Sequence, residues 1–266
     1  MITRFILALA LTFSQGASTT VAPKTTLFPK TTTIGAAGTS QQATLARQFN
    51  GSSDFLKSSA GIDMPGGVLI LSISFWLYQN AFDNADELAM ESSDNFNNNR
   101  GAFLVDPNSS GFPGNFQYAV RGGLAGIYLT CTFARPSAAA WHHYLLILDA
   151  STTGGTCGAF VDGVSQTTTR QQTPGETIAF TSQTLNVMSR NGASLFNAGR
   201  MTSIAIWGAD ETANASTIAS CSTSISTVDN TNLLDYWKIQ QISPETPIVG
   251  TPNLNVTGTT NVAGPC

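Results

Sequence analysis

Asp83, Asp86, Glu87 and Asp94, with Asn84 and Asn95 among them, form the densest local set of oxygen donors in the chain. Calcium takes about six to eight oxygens at roughly 2.3–2.6 Å, and a short acidic stretch can supply part of such a shell. This stretch lacks the D-x-[DN]-x-[DN]-G pattern of a preformed calcium loop. Its two readings are therefore a calcium site built on Asp83, Asp86, Glu87 and Asp94, or a solvated acidic loop. No other cofactor is called for, because the two histidines are adjacent and no cysteines are spaced as C-x-x-C.

Carboxylates could also do acid–base work on a glycosidic bond, which needs a pair about 5 Å apart for retention or up to about 9.5 Å for inversion. The sequence has no E-x-D-x-x-E run. Glu87 and Glu91, placed on one strand, would have Cα atoms about 13 Å apart. His142 and His143 fall inside a strand and point to opposite faces, so they read as strand positions and not as parts of a nucleophilic triad. Trp76, Trp141, Trp207 and Trp237 lie in or at the ends of strands, where aromatics pack. Trp76 and Tyr78 share the non-core face of one strand and are the residues best placed to stack on a sugar. The ligand-binding candidates are thus Trp76, Tyr78, Asp83, Asp86, Asp94 and Asn95, and no residue is assigned a catalytic role.

Positioning these groups falls to a chain of 266 residues that is 42% hydrophobic but only 11% charged. Average soluble proteins carry roughly 25% charged residues, so this surface must be hydrated mainly by hydroxyls and amides. The net charge is −4 and the 12 basic residues are dispersed, which excludes a nucleic-acid-binding face. The sequence pattern is that of short strands between Gly, Pro and Asn turns. Strands are expected at 43–50, 53–57, 68–78, 88–91, 101–106, 115–121, 126–133, 141–148, 158–161, 178–180, 185–188, 201–207 and 233–238. Val68–Tyr78 has the clearest alternation, with Leu69, Leu71, Ile73, Phe75 and Leu77 on the face assigned to the core. Asp162-Gly163 is a type I′ turn signal. One short helix is expected at 214–220. The implied fold is an all-β antiparallel sandwich.

Residues 1–42 read as an extended arm, or as a signal peptide followed by a linker. Arg4 precedes an apolar run from Phe5 to Phe13, and cleavage would follow Gly16 or Ala17. The run is too short to span a bilayer. Four cysteines allow three complete pairings. Cys131 and Cys157 fall on strands expected to flank the 141–148 strand, which would keep them apart. Cys221 with Cys266 is the pair expected.

In order along the chain, Phe49-Asn50-Gly51-Ser52-Ser53-Asp54-Phe55-Leu56, Ile73-Ser74-Phe75-Trp76-Leu77, Trp141-His142-His143-Tyr144, Phe160-Val161-Asp162-Gly163 and Gly199 to Trp207 follow a recognisable series of landmarks. Together they resemble the laminin G-like, or concanavalin A-like lectin/glucanase, superfamily. The resemblance implies a jelly roll over residues 43–240, with a tail at 241–266 partly packed on it. It also implies a concave face or loop rim that binds glycans or proteins, frequently with calcium. Leu233 to Lys238 and Thr251 to Gly258 resemble the closing segment of laminin G-like proteins encoded among bacteriophage structural genes. That likeness implies a non-enzymatic decoration or fibre protein at a virion surface. Its partners would be other virion proteins, further copies of itself and a host-surface glycan. The alternatives are a secreted, lectin-like adhesion module and, less favoured, a glycoside hydrolase.

Overall fold

The computed structural model describes residues 43–123 and 128–266. Expectations for residues 1–42, and for the opening of the strand expected from Gly126, lie outside the described residues. The strands in chain order are β1 Leu45–Asn50, β2 Phe55–Gly61, β3 Ile70–Gln79, β4 Met90–Glu91, β5 Phe103–Asp106, β6 Asn115–Arg121, β7 Tyr128–Ala134 and β8 Trp141–Asp149. They continue with β9 Thr156–Val161, β10 Val164–Ser165, β11 Thr169–Gln172, β12 Thr184–Val187, β13 Ala198–Trp207, β14 Leu233–Trp237, β15 Leu254–Thr257 and β16 Thr260–Ala263. The helix α1, Ala215–Ile218, follows a 3-10 turn at Thr212–Asn214. These strands make two antiparallel eight-stranded sheets. The first runs β10-β9-β8-β3-β13-β1-β16, with β14 also on β13, and the second runs β11-β7-β6-β5-β4-β12-β2-β15.

The alternation of β3 explains its central place. Leu71, Ile73, Phe75 and Leu77 are buried against the inner face of the second sheet, in a core that includes Phe103, Val105, Phe116, Tyr118 and Val120. Phe75, Phe116, Phe133 and Tyr144 form a connected aromatic group with ring centroids 4.8–6.5 Å apart. The other face of β3 is also covered. Ala215, Ile218, Ile225 and Val228 lie over Leu145, Ile147, Ala205 and Trp207, making a second apolar cluster outside the first sheet. Asp162 and Gly163 both have positive φ, 53° and 77°, and join β9 to β10 as a two-residue hairpin.

Three expectations need correction. Residues 178–180 are not a strand. Ile178 and Phe180 are buried, but their N–H groups bond to Ala150 and Val68 carbonyls, so the apolar alternation marks a loop pressed into the core. Strands β10, β11, β15 and β16 are additional to those expected: β10, β11 and β16 have no buried face to reveal them, and β15 is a four-residue strand with only Leu254 and Val256 turned to the core. The tail gives one edge strand to each sheet: β15 pairs with β2 and β16 with β1.

The third correction concerns the cysteines. Cys131 bonds Cys157, with Cα atoms 6.3 Å apart, and Cys221 bonds Cys266 as expected. The expectation that keeps the first pair apart holds only if both strands lie in one sheet. Instead β7 belongs to the second sheet and β9 to the first, so the bond ties the layers together across the sandwich. Replacing both Cys131 and Cys157 by Ser should lower stability by about 2–4 kcal/mol while preserving the strand content. Denaturant titration followed by circular dichroism checks this, and an unchanged midpoint would contradict it.

Candidate functional site

The outer face of the second sheet is partly covered by a small apolar cluster of Leu88, Phe96, Ala102, Leu104 and Ala119, and a cleft lies beside it. On β5, β6 and β7 the inward residues are apolar, and the outward ones include Leu104, Asp106, Gln117, Ala119, Arg121, Tyr128, Thr130 and Thr132, with the Arg121 guanidinium over the Tyr128 ring at 5.8 Å. Gln172 of the edge strand β11 stands opposite Thr130, and Glu91 of β4 stands opposite Leu104. The 3-10 turn Phe96–Asn98 and the loop bearing Arg190 and Leu195 rise above this face. Between them lies a cleft of about 300 Å³, whose lining includes Asp86, Asp106, Gln117, Tyr128, Gln172 and Arg190. The Tyr128 ring stacks on Phe96 at 5.6 Å, and Leu88, Leu104 and Leu195 supply apolar surface.

The cleft wall is held by buried polar contacts. Glu91 is fully buried. One of its oxygens accepts from Ser93 Oγ at 2.9 Å and from the Phe96 N–H, and the other accepts from Arg190 Nε at 2.8 Å. The turn and the arginine are thus fixed to the same carboxylate. Asp106, 3% exposed, accepts from the Asn108 N–H at 2.9 Å. Burial, aided by the nearby charges of Asp86 and Glu87, pushes its pKa up to about 7.

A raised folded-state pKa means that the Asp106 contribution to stability is complete below about pH 4, where the unfolded chain is also protonated. It is lost as the pH rises through about 7. Asp106→Asn should therefore be more stable than the parent at pH 8, with the difference shrinking toward pH 4. Thermal melts at those two pH values test this, and a difference that grows on acidification would contradict it.

The residues singled out from sequence are spread over four places. Asp83 accepts from the Ala85 N–H at 2.9 Å and from Asn108 Nδ2 at 2.6 Å, and these bonds hold its carboxyl below the usual range. Glu87 accepts from the same Asn108 amide at 3.0 Å and from Gln79 at 3.1 Å, and burial raises its pKa. Asp86 accepts from the Ser110 N–H at 2.7 Å and reaches the cleft wall. Asp94 stands apart, in an exposed ion pair with Lys57 at 3.1 Å, and Asn95 caps the 3-10 turn through the Asn97 N–H. Among the described residues, no group of three or more His, Cys, Asp or Glu side chains is placed to hold a metal ion.

Trp76 and Tyr78 lie on the outer face of the other sheet. Trp76 is only 9% exposed and packs edge-on against His143 at 5.2 Å, so its ring offers little open face. Tyr78 is half-buried between Trp141 and the Arg200 guanidinium. His143 is buried, meets Ser74 Oγ through Nε2 at 2.8 Å, and has its pKa lowered to about 3 by desolvation. Asp162 contacts the His143 backbone N–H and the His142 ring, leaving the His143 ring without a carboxylate to orient it. A buried Ser–His contact of this kind does not form a working triad.

Sequence reading missed Asp106, Gln117, Tyr128, Thr130, Gln172 and Arg190. The signal available for four of them was a polar residue at alternate positions of β5, β6 and β7, which becomes informative only once the sheet order is known.

Two antiparallel sheets packed on a shared aromatic core make a jelly-roll sandwich. The family profile described as the concanavalin A-like lectin/glucanases superfamily matches residues 50–215, and the chain belongs to that superfamily. No curated protein matches the sequence. Among solved structures, a putative carbohydrate binding protein from Bacteroides ovatus is similar at 15% identity and a TM-score of 0.59. The match covers 85% of this chain and 61% of that one, so this chain corresponds to only part of that protein. The heptameric SAP-like pentraxin from Limulus polyphemus is similar at 14% identity and a TM-score of 0.53, over 86% of this chain and 97% of the pentraxin. These likenesses establish the fold. No helix among the described residues is long and apolar enough to cross a membrane.

Proposed function

We propose that the protein is a non-enzymatic glycan-binding module, holding a saccharide in the cleft on the outer face of its second sheet. The observation that carries this is the composition of the cleft. A half-buried tyrosine, three leucines and a ring of amide, hydroxyl and carboxyl groups match the apolar faces and hydroxyl edges of a sugar. The superfamily and the likeness to the putative carbohydrate binding protein from Bacteroides ovatus support the same reading. Glu91, the buried carboxylate beside the cleft, is consumed by three structural hydrogen bonds and is not free to act as an acid or base. Tyr128→Ala should weaken glycan binding about tenfold, as loss of an aromatic contact of roughly 1.4 kcal/mol implies. Calorimetry on ligands selected from a glycan array measures this. An unaltered affinity, or release of hydrolysis products during incubation, would overturn the proposal.

The setting proposed is a bacteriophage virion surface, with other virion proteins and further copies of this chain as partners. Its support is the resemblance of the closing segment, Leu233 to Lys238 and Thr251 to Gly258, to that of laminin G-like proteins encoded among bacteriophage structural genes. A secreted adhesion module is the second reading, favoured by two disulfides, which persist in oxidising surroundings. Mass spectrometry of purified particles separates them: the chain is a stoichiometric component in the first case and absent in the second.

A further inference from the structure

The cleft's hydrogen-bonding groups are unevenly spent. Gln117 uses its carbonyl on Ser109 Oγ, and Gln172 uses its carbonyl on Thr130 Oγ1 at 2.8 Å. Asn97 accepts from the Tyr128 hydroxyl at 3.4 Å. Each amide therefore keeps its NH2 donors. Arg190 is tied to Glu91 through Nε alone, its side chain is 23% exposed, and its two terminal nitrogens have no partner among the described residues. Guanidinium is a donor only, and its free edge matches a carboxylate in a bidentate fork. On the acceptor side, Asp86 already accepts from the Ser110 N–H. Burial draws the Asp106 carboxyl toward its neutral form, so that near pH 7 it carries only part of a negative charge.

Resting on the glycan-binding reading above, we propose that the sugar this cleft takes carries a carboxylate, which docks on the free edge of Arg190 while the Gln117, Gln172 and Asn97 amides donate to its ring and hydroxyl oxygens. Uronic and sialic acids both present this chemistry. A neutral hexose would leave the arginine edge unmatched, and binding sites discriminate most strongly through polar groups left without partners.

The test compares tetragalacturonate with its methyl ester, and a sialylated trisaccharide with lactose, by calorimetry on the full chain. One acid form should bind about tenfold more tightly than its uncharged counterpart, and which one identifies the source. Gln172→Glu, on an exposed edge strand where it does not threaten folding, should abolish that preference. Arg190→Lys keeps a charge beside Glu91 but loses the fork, and should weaken the acid form more than the neutral one. Equal affinity for acid and neutral forms, or binding of neutral glycans only, would overturn this inference and leave glycan binding standing. Failure of the folded protein to bind any saccharide on a broad panel would overturn both.

Discussion

Replacing Arg47 by Ala lowers the unfolding free energy by about 3–5 kcal/mol, the range for breaking a buried charge pair from one side. Arg47 is 4% exposed and lies on β1. Its Nε donates to Glu245 at 2.7 Å, Nη1 donates to Thr259 and Asn261 at 3.0 and 3.1 Å, and Nη2 donates to the Ile242 carbonyl. Every acceptor comes from the last 25 residues, so one guanidinium fastens the tail that closes both sheets. Glu245 is 1% exposed, and its second oxygen accepts from the Gln240 N–H. Without Arg47 it would be a buried anion with one remaining partner. Chemical denaturation of the purified variant measures the loss. A change below about 1 kcal/mol would show that the pair behaves like a surface bridge.

Glu91→Ala should be the most damaging single change to the cleft, costing about 2–4 kcal/mol of stability and the glycan binding with it. The figure is set below that for a fully buried pair because Arg190 retains contact with solvent. Removing the carboxylate releases the Phe96 N–H, Ser93 and Arg190 together. The turn carrying Phe96 and Asn97, and the arginine on the opposite wall, then lose their common anchor. Glu91→Gln keeps an acceptor for the turn and should recover part of the stability. A stable Glu91→Ala variant with parental affinity would separate Glu91 from the cleft altogether.

What could be read from sequence follows from where burial is one-sided. β3, β6 and β8 alternate or run apolar over seven or more residues, and their spans were legible to within a residue or two. The Asp162-Gly163 hairpin was legible because its geometry demands those residue types. Strands β11 and β16 are four-residue edge strands whose side chains stay largely exposed, so no apolar alternation announced them. The Cys131–Cys157 bond depended on which sheet each strand joins, a property of topology and not of spacing. The cleft was hidden for the same reason. Asp106, Gln117, Thr130 and Gln172 are distant in sequence and become neighbours only through the order β5-β6-β7-β11. Asp83, Asp86, Glu87 and Asp94, conspicuous in sequence, divide between an asparagine-centred network, the cleft wall and an exposed ion pair.

The central claim is that a saccharide occupies the outer face of the second sheet. Backbone amide chemical shifts recorded while a bound glycan is titrated into labelled protein address it directly. The predicted result is a contiguous set of perturbations at Asn97, Asp106, Gln117, Tyr128, Thr130, Gln172 and Arg190, with the opposite face around Tyr78, Trp141 and Arg200 unmoved. Perturbations confined to that opposite face, with the cleft residues unchanged, would contradict it.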